Sequence, residues 1–230
     1  MKKIVAATLA CLIVTGLSGC GDEQATPSIY TASSSEPSSA VSNYFNGVDI
    51  PYQLYTTPGS SLVVIGTNES GEQKAAVQVQ VSFLKDGSVV ASETDSYRQV
   101  ANGKKMAFSF PLPDDYDDMQ VTFTTSEDSP ESIEDLSANL QTSANRETDG
   151  VAVICKNTGE TEMNFIKLQV VYYQKNKVVG CERTVTTEAL PAGSEISLKA
   201  PLPQTESGAE ISFDQYEVVP VEVLRTDTTE

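Results

Sequence analysis

The stretch VQVQVSFLKDGSVV, residues Val77 to Val90, alternates apolar Val77, Val79, Val81 and Phe83 with Gln78, Gln80 and Ser82. A period of two puts one set of side chains on each face of an extended chain, so this is a strand with one side in a core. Lys85-Asp86-Gly87-Ser88 follows as turn residues, and Val89 opens a second short strand. The stretch is a β-hairpin, and the chain around it reads as all-β.

The same pattern recurs about 90 residues on. Leu168-Gln169-Val170-Val171-Tyr172 lies against Val79-Gln80-Val81-Ser82-Phe83 at an offset of 89, with Gln174-Lys175-Asn176-Lys177 as its turn and Val178-Val179 after it. Upstream, Val153-Ile154-Cys155-Lys156-Asn157 reads against Val64-Ile65-Gly66-Thr67-Asn68. Downstream, at an offset of 90, Ala192-Gly193 matches Asn102-Gly103, Pro201-Leu202-Pro203 matches Pro111-Leu112-Pro113, and Ile211-Ser212-Phe213 matches Val121-Thr122-Phe123. Self-similarity at a fixed period signals a duplicated unit.

Further strands are expected near Val48 to Leu54, Leu62 to Gly66, Lys105 to Phe110 and Gln120 to Thr125. Their matches are Leu136 to Leu140, Val151 to Cys155, Glu195 to Ala200 and Glu210 to Val218. Six or seven short strands per copy, with no helix, predict two tandem antiparallel β-sandwich domains of immunoglobulin-like shape, over 44–128 and 129–225. Proline donates no ladder hydrogen bond, so the Pro-Leu-Pro elements belong at strand ends or connections.

The run KLQVVYYQKNKVVG (167–180), with LPAGSEISLKAPLP (190–203) and FDQYEV (213–218), resembles the small extracellular β-sandwich domains of Gram-positive bacterial lipoproteins, including the FxLYD type. The likeness is in strands and turns, without a literal F-x-L-Y-D. It implies an exported, immunoglobulin-like architecture and carries no catalytic residue with it.

The first residues fit an exported protein. Met1-Lys2-Lys3 is a positive start, and the apolar run Ile4 to Gly16 is too short to span a hydrocarbon core about 30 Å thick, so 1–19 reads as a signal peptide. Leu17-Ser18-Gly19-Cys20 resembles the lipobox of bacterial lipoproteins. That resemblance implies cleavage between Gly19 and Cys20 and acylation of the Cys20 thiol. The partner it supplies is the membrane, through the lipid, with the chain on the extracytoplasmic side of the cell membrane. Residues 20–43, rich in Ser, Thr, Pro and Ala, read as a disordered linker, and 226–230 as a disordered tail.

Composition removes several functions. The chain has no histidine, so a Ser-His-Asp or Cys-His centre and any His-ligated zinc are excluded. A net charge of -17 opposes nucleic acid, whose phosphates need clustered Lys and Arg. No cofactor, no metal site and no catalytic residue is expected.

The remaining candidates each have a plainer reading. Cys155 and Cys181 occur in one copy only, where the other has Gly66 and Ser92; in an exported chain they suggest a disulfide, and otherwise two buried thiols. Asp114-Asp115-Tyr116-Asp117-Asp118 offers oxygen ligands for Ca²⁺ but lacks EF-hand spacing, and reads better as a solvated loop. Asn68-Glu69-Ser70 matches a glycosylation sequon and reads better as a turn. Val171 and Tyr173 point away from their own core, marking either a partner surface or the seam between domains. The function expected is a non-catalytic binding or spacing module at the cell envelope, its partner an envelope protein or glycan. The alternatives are an accessory solute- or glycan-binding lipoprotein and a hydrolase working with paired carboxylates.

Overall fold

The computed structural model describes residues 30–33, 50–126 and 133–226. The signal peptide, Gly19 and Cys20, most of the linker, residues 127–132 and the last four residues lie outside the described residues. Within the described residues the chain is all-β, with antiparallel sheets and a single 3-10 turn.

The first half contains β1 (Tyr30–Ser33), β2 (Tyr52–Thr56), β3 (Ser61–Thr67), β4 (Lys74–Lys85), β5 (Ser88–Val100), β6 (Lys105–Pro111) and β7 (Asp118–Ser126). The second contains β8 (Ile133–Asp135), β9 (Leu140–Glu147), β10 (Gly150–Asn157), β11 (Phe165–Gln174), β12 (Lys177–Thr186), β13 (Glu195–Ala200) and β14 (Gln215–Thr226). The sheets of the first half run β1-β7-β4-β5 and β2-β3-β6; those of the second run β8-β14-β11-β12 and β9-β10-β13. The strand order is the same in both halves.

The opening hairpin is β4 and β5. Asp86 and Gly87 both have positive φ, as do Lys175 and Asn176 between β11 and β12. Two consecutive left-handed residues give the turn whose twist matches the flanking strands. The inward set Val77, Val79, Val81 and Phe83 is fully buried, with Phe108 and Phe110 facing it from β6 and Phe123 beside it on β7. The second core repeats this with Ile166, Leu168, Val170 and Tyr172 against Val151, Val153 and Phe213.

A buried asparagine closes the same corner in each half. Asn68 Nδ2 donates to the carbonyls of Glu72 (2.8 Å) and Val100 (2.9 Å), and Asn157 Nδ2 to those of Thr161 (2.8 Å) and Leu190 (2.9 Å). Asn68 is completely buried and its amide is committed to backbone, so the sequon serves as a turn.

Four expectations are corrected. Tyr30–Ser33, inside the expected linker, is a strand on the edge of β7. Thr226, assigned to the tail, ends β14. The strand expected at Leu136 to Leu140 is instead the 3-10 turn Ser137–Asn139, and the strand proper is β9, whose polar sequence LQTSANRE hid it from a search for apolar alternation. The last strand is not Glu210 to Val218. Ile211 donates its N–H to the Pro203 carbonyl and Asp214 to that of Tyr173, so both lie in a connection. Val121 pairs with Val81, and Val218 pairs with Val170, so the true offset here is 218 - 121 = 97. The Ile211-Ser212-Phe213 match was a slip of seven residues.

Both Pro-Leu-Pro elements sit where missing donors are harmless: Pro111 ends β6, and Pro201 to Pro203 follow β13. Pro220 lies within β14, beside the bulge between Lys167 and Leu168.

Candidate functional site

The two halves are joined along one seam. Val171 and Cys181, with Val219 and Val221 of β14, are buried in the same apolar cluster as Val63, Ile65 and Ala107 of the first half. Strand β3 is therefore buried on both faces, which a one-sided strand is not. Burying each such valine contributes about 1.5–3 kcal/mol relative to leaving it in water.

Charges cross the same seam. Lys167 Nζ lies 3.4 Å from Asp95 and 3.7 Å from Glu222, and 4.4 Å over the Tyr97 ring. Glu222 also accepts from Arg98, at 3.0 Å from the backbone N–H and 2.8 Å from Nε. Gln169 Nε2 donates to the Tyr97 hydroxyl at 3.1 Å, and that hydroxyl donates to the Ala107 carbonyl. Burial pushes the Tyr97 phenol well above its ordinary range, so it stays a donor. Further along, Lys105 Nζ reaches Glu217 at 2.6 Å, and Tyr173 donates to the same carboxylate at 3.0 Å. A paired network of this kind roughly offsets its own desolvation, so the valines hold the seam and the charges fix its register.

Two clefts open along it. One, about 270 Å³, is lined by Gln53, Tyr55, Glu69 and Lys105 of the first half and Tyr173 of the second. The other, about 260 Å³, is lined by Thr57, Ser60 and Ser61 of the β2–β3 turn, by Ser109 and Pro111 of β6, and by Glu182, Pro203 and Gln204 of the second half. Two glycines let the walls come this close. A Cβ on Gly180 would sit 2.5 Å from the Pro203 ring, and one on Gly59 would collide with the Gln204 carbonyl.

Glu182 is the anomaly in the second cleft. It pairs across the ladder with Val170, a core residue, so it occupies a slot that strand alternation gives to an apolar side chain. Desolvation raises its carboxyl from the usual range to about 7. Among the described residues it has no hydrogen-bond or ion-pair partner. The sequence held no local signal for it. Plain alternation from Val178 and Val179 puts Glu182 on the Val178 face, and the bulge at Tyr172/Tyr173 turns it inward instead.

Val171 is completely buried in the seam and offers no surface to a partner, while Tyr173 is half-buried at a cleft rim. Cys155 and Cys181 form no disulfide: both thiols are free and buried. The reason is geometric. Cys155 points into the core of the second half and Cys181 into the seam cluster, so β11 and its neighbours stand between them. Burial pushes the Cys155 thiol up to about 11 and raises Cys181 further, which removes both as nucleophiles at neutral pH. The acidic loop is spent locally, with Asp115 on Lys85 at 2.9 Å and Asp117 accepting the Asp86 N–H at 3.0 Å. No group of three or more metal-ligating side chains occurs among the described residues. Gly19 and Cys20 lie outside them.

Chemically, one cleft sets the carboxylate of Glu69 beside the ammonium of Lys105, and the other holds a single carboxylate, Glu182, among neutral groups. Hydrolysis between two carboxyls needs a pair about 5 to 9.5 Å apart across a substrate, and neither cleft is lined by one. Compared with known proteins, the chain matches no family model and no curated relative.

Proposed function

We propose that the protein is a membrane-anchored extracytoplasmic lipoprotein, with two immunoglobulin-like β-sandwich domains acting together as a non-catalytic binding or spacing module at the cell envelope. The observation that carries this reading is Leu17-Ser18-Gly19-Cys20 placed directly after a positive start and a short apolar run. The seam adds mechanical sense. A duplicated β unit locked by buried valines and a charge network holds its far end at a fixed distance from its near end, as a spacer or presenter needs.

The clefts favour a second reading, an accessory binder of a small solute or glycan. Aromatic rims with a few fixed polar groups are the usual lining of small-ligand sites, and Tyr55 with Tyr173 provides one here.

The test is fractionation of cells making the full chain and its Cys20→Ala variant. The expected result is that the first partitions with membranes and carries a lipid mass on Cys20, while the variant is released. Equal partitioning of both, with no lipid on Cys20, overturns the anchor.

A further inference from the structure

We infer that the cleft around Glu182 is a binding site for a small hydroxyl-bearing molecule carrying one primary ammonium group. The inference rests on the binding part of the proposed function and is independent of the lipid anchor.

Glu182 occupies a core-facing slot opposite Val170, with no hydrogen-bond or ion-pair partner among the described residues. Glu182 is half-buried, and a carboxylate that gives up part of its hydration without gaining a partner is destabilised; such violations of strand patterning concentrate at functional sites. A cation entering the cleft removes the cost.

The first half supplies an internal comparison. Glu93 on β5 occupies the corresponding slot, opposite the core residue Val81. It lines neither cleft. What sets Glu182 apart is that the β2–β3 turn of the other half closes over it.

The lining then specifies the cation. Apart from Glu182 it is neutral, so the site balances a single charge. A divalent cation takes six to eight oxygens, usually with several carboxylates. A primary ammonium brings three donors to one carboxylate and nearby hydroxyl oxygens. Thr57 and Ser61 already share a hydrogen bond at 2.8 Å, whereas the side chains of Ser60 and Ser109 have no partner among the described residues. Those two hydroxyls are available to a ligand's own hydroxyls, and Pro111 and Pro203 offer apolar walls to its carbon skeleton. A space of about 260 Å³ holds on the order of nine waters, the bulk of a hexose-sized molecule. The titratable groups beside Glu182 are Tyr172 and Cys181, both raised by burial and therefore uncharged near neutrality, so neither competes for the ammonium.

The experiment is calorimetric titration of the purified full chain with D-glucamine, using sorbitol, which differs by the amine, and CaCl₂ as separate arms. Saturable glucamine binding is expected, with sorbitol at least tenfold weaker. Glu182→Gln is expected to weaken glucamine at least tenfold, and Glu93→Gln to leave it unchanged. Binding should strengthen about tenfold from pH 6 to pH 8 as the carboxyl ionises. Equal binding of sorbitol, preference for Ca²⁺, no glucamine binding, or full binding by Glu182→Gln overturns the inference. Membrane partitioning, scored separately on the same chain, keeps a failure here distinct from failure of the anchor.

Discussion

Lys167 of β11 places its ammonium 3.4 Å from the carboxylate of Asp95 on β5, across the boundary between the two halves. The Lys167 side chain is only 9% exposed, and Glu222, 3.7 Å away on its other side, is 4% exposed. These groups lost water when the halves met, and each is offset by an opposite charge.

Removing the lysine leaves two carboxylates facing each other with less compensation. Lys167→Ala should lower stability by about 3 kcal/mol, the usual cost of breaking a buried pair from one side. Arg98 still holds Glu222 at 2.8 Å, which keeps the loss from being larger. Urea unfolding of the two proteins measures it. A loss under about 0.5 kcal/mol, the level of an exposed pair, contradicts a buried network.

The valine part of the seam makes a separate prediction. Val171→Asp puts an unpaired carboxylate into the apolar cluster that includes Val63 and Ile65. The halves should then come apart while each retains its sheets, giving two unfolding transitions where the parent has one. A single transition of unchanged midpoint is inconsistent with Val171 being inside the seam.

The cysteines follow from their burial on different sides. In the native protein, alkylating reagent should leave Cys155 and Cys181 unmodified, and both should react after unfolding without reductant. Peptide mass spectrometry reads this directly. A reductant should also leave the melting temperature unchanged, since no bridge contributes the 2–4 kcal/mol typical of one. A Cys155–Cys181 linked peptide sinks the argument.

How far the fold could be read from sequence depended on what each strand packs against. The strands that line a core, β4 and β11, announced themselves through alternating Val and Leu. Strand β9 did not, because only Leu140 and Ala144 of it pack on the core. Strand order runs alike in the two halves, but past the Pro-Leu-Pro elements the spacing differs, since the connection after Pro203 is longer by seven residues and carries buried Ile211 and Phe213 that mimic a strand. The site was hidden for another reason. Glu182 gains its meaning from Ser60 and Ser109 across the seam, and no local pattern reports a contact between residues more than 70 positions apart.

The buried asparagines give a matched pair of tests. Asn157→Ala removes the side-chain donor to the Thr161 carbonyl and leaves the Leu190 carbonyl with only the Met163 N–H. Orphaning buried carbonyls costs about 1–3 kcal/mol. Asn68→Ala should cost at least as much, because its amide also reaches the Ala101 carbonyl at 3.2 Å. Thermal unfolding of both variants decides it, and equality with the parent protein in either case shows that the corner is not held by the amide.

Glu182 ties stability to pH. Its carboxyl is raised from 4.5 in the unfolded chain to about 7 in the folded one, because burial disfavours the ionised form. Below about pH 4.5 it is protonated in both states and carries no penalty. Between there and about pH 7 the unfolded chain ionises while the folded one retains its proton, so the unfolded state gains and stability falls as pH rises. Above about pH 7 both are ionised and the loss is complete. Glu182→Gln has no such titration. The melting-temperature difference, variant minus parent, should therefore be near zero at about pH 4, grow through the interval, and level off above about pH 8 with the variant more stable. A difference that stays flat across that range means the carboxylate is fully solvated, and the half-buried setting assigned to it is wrong.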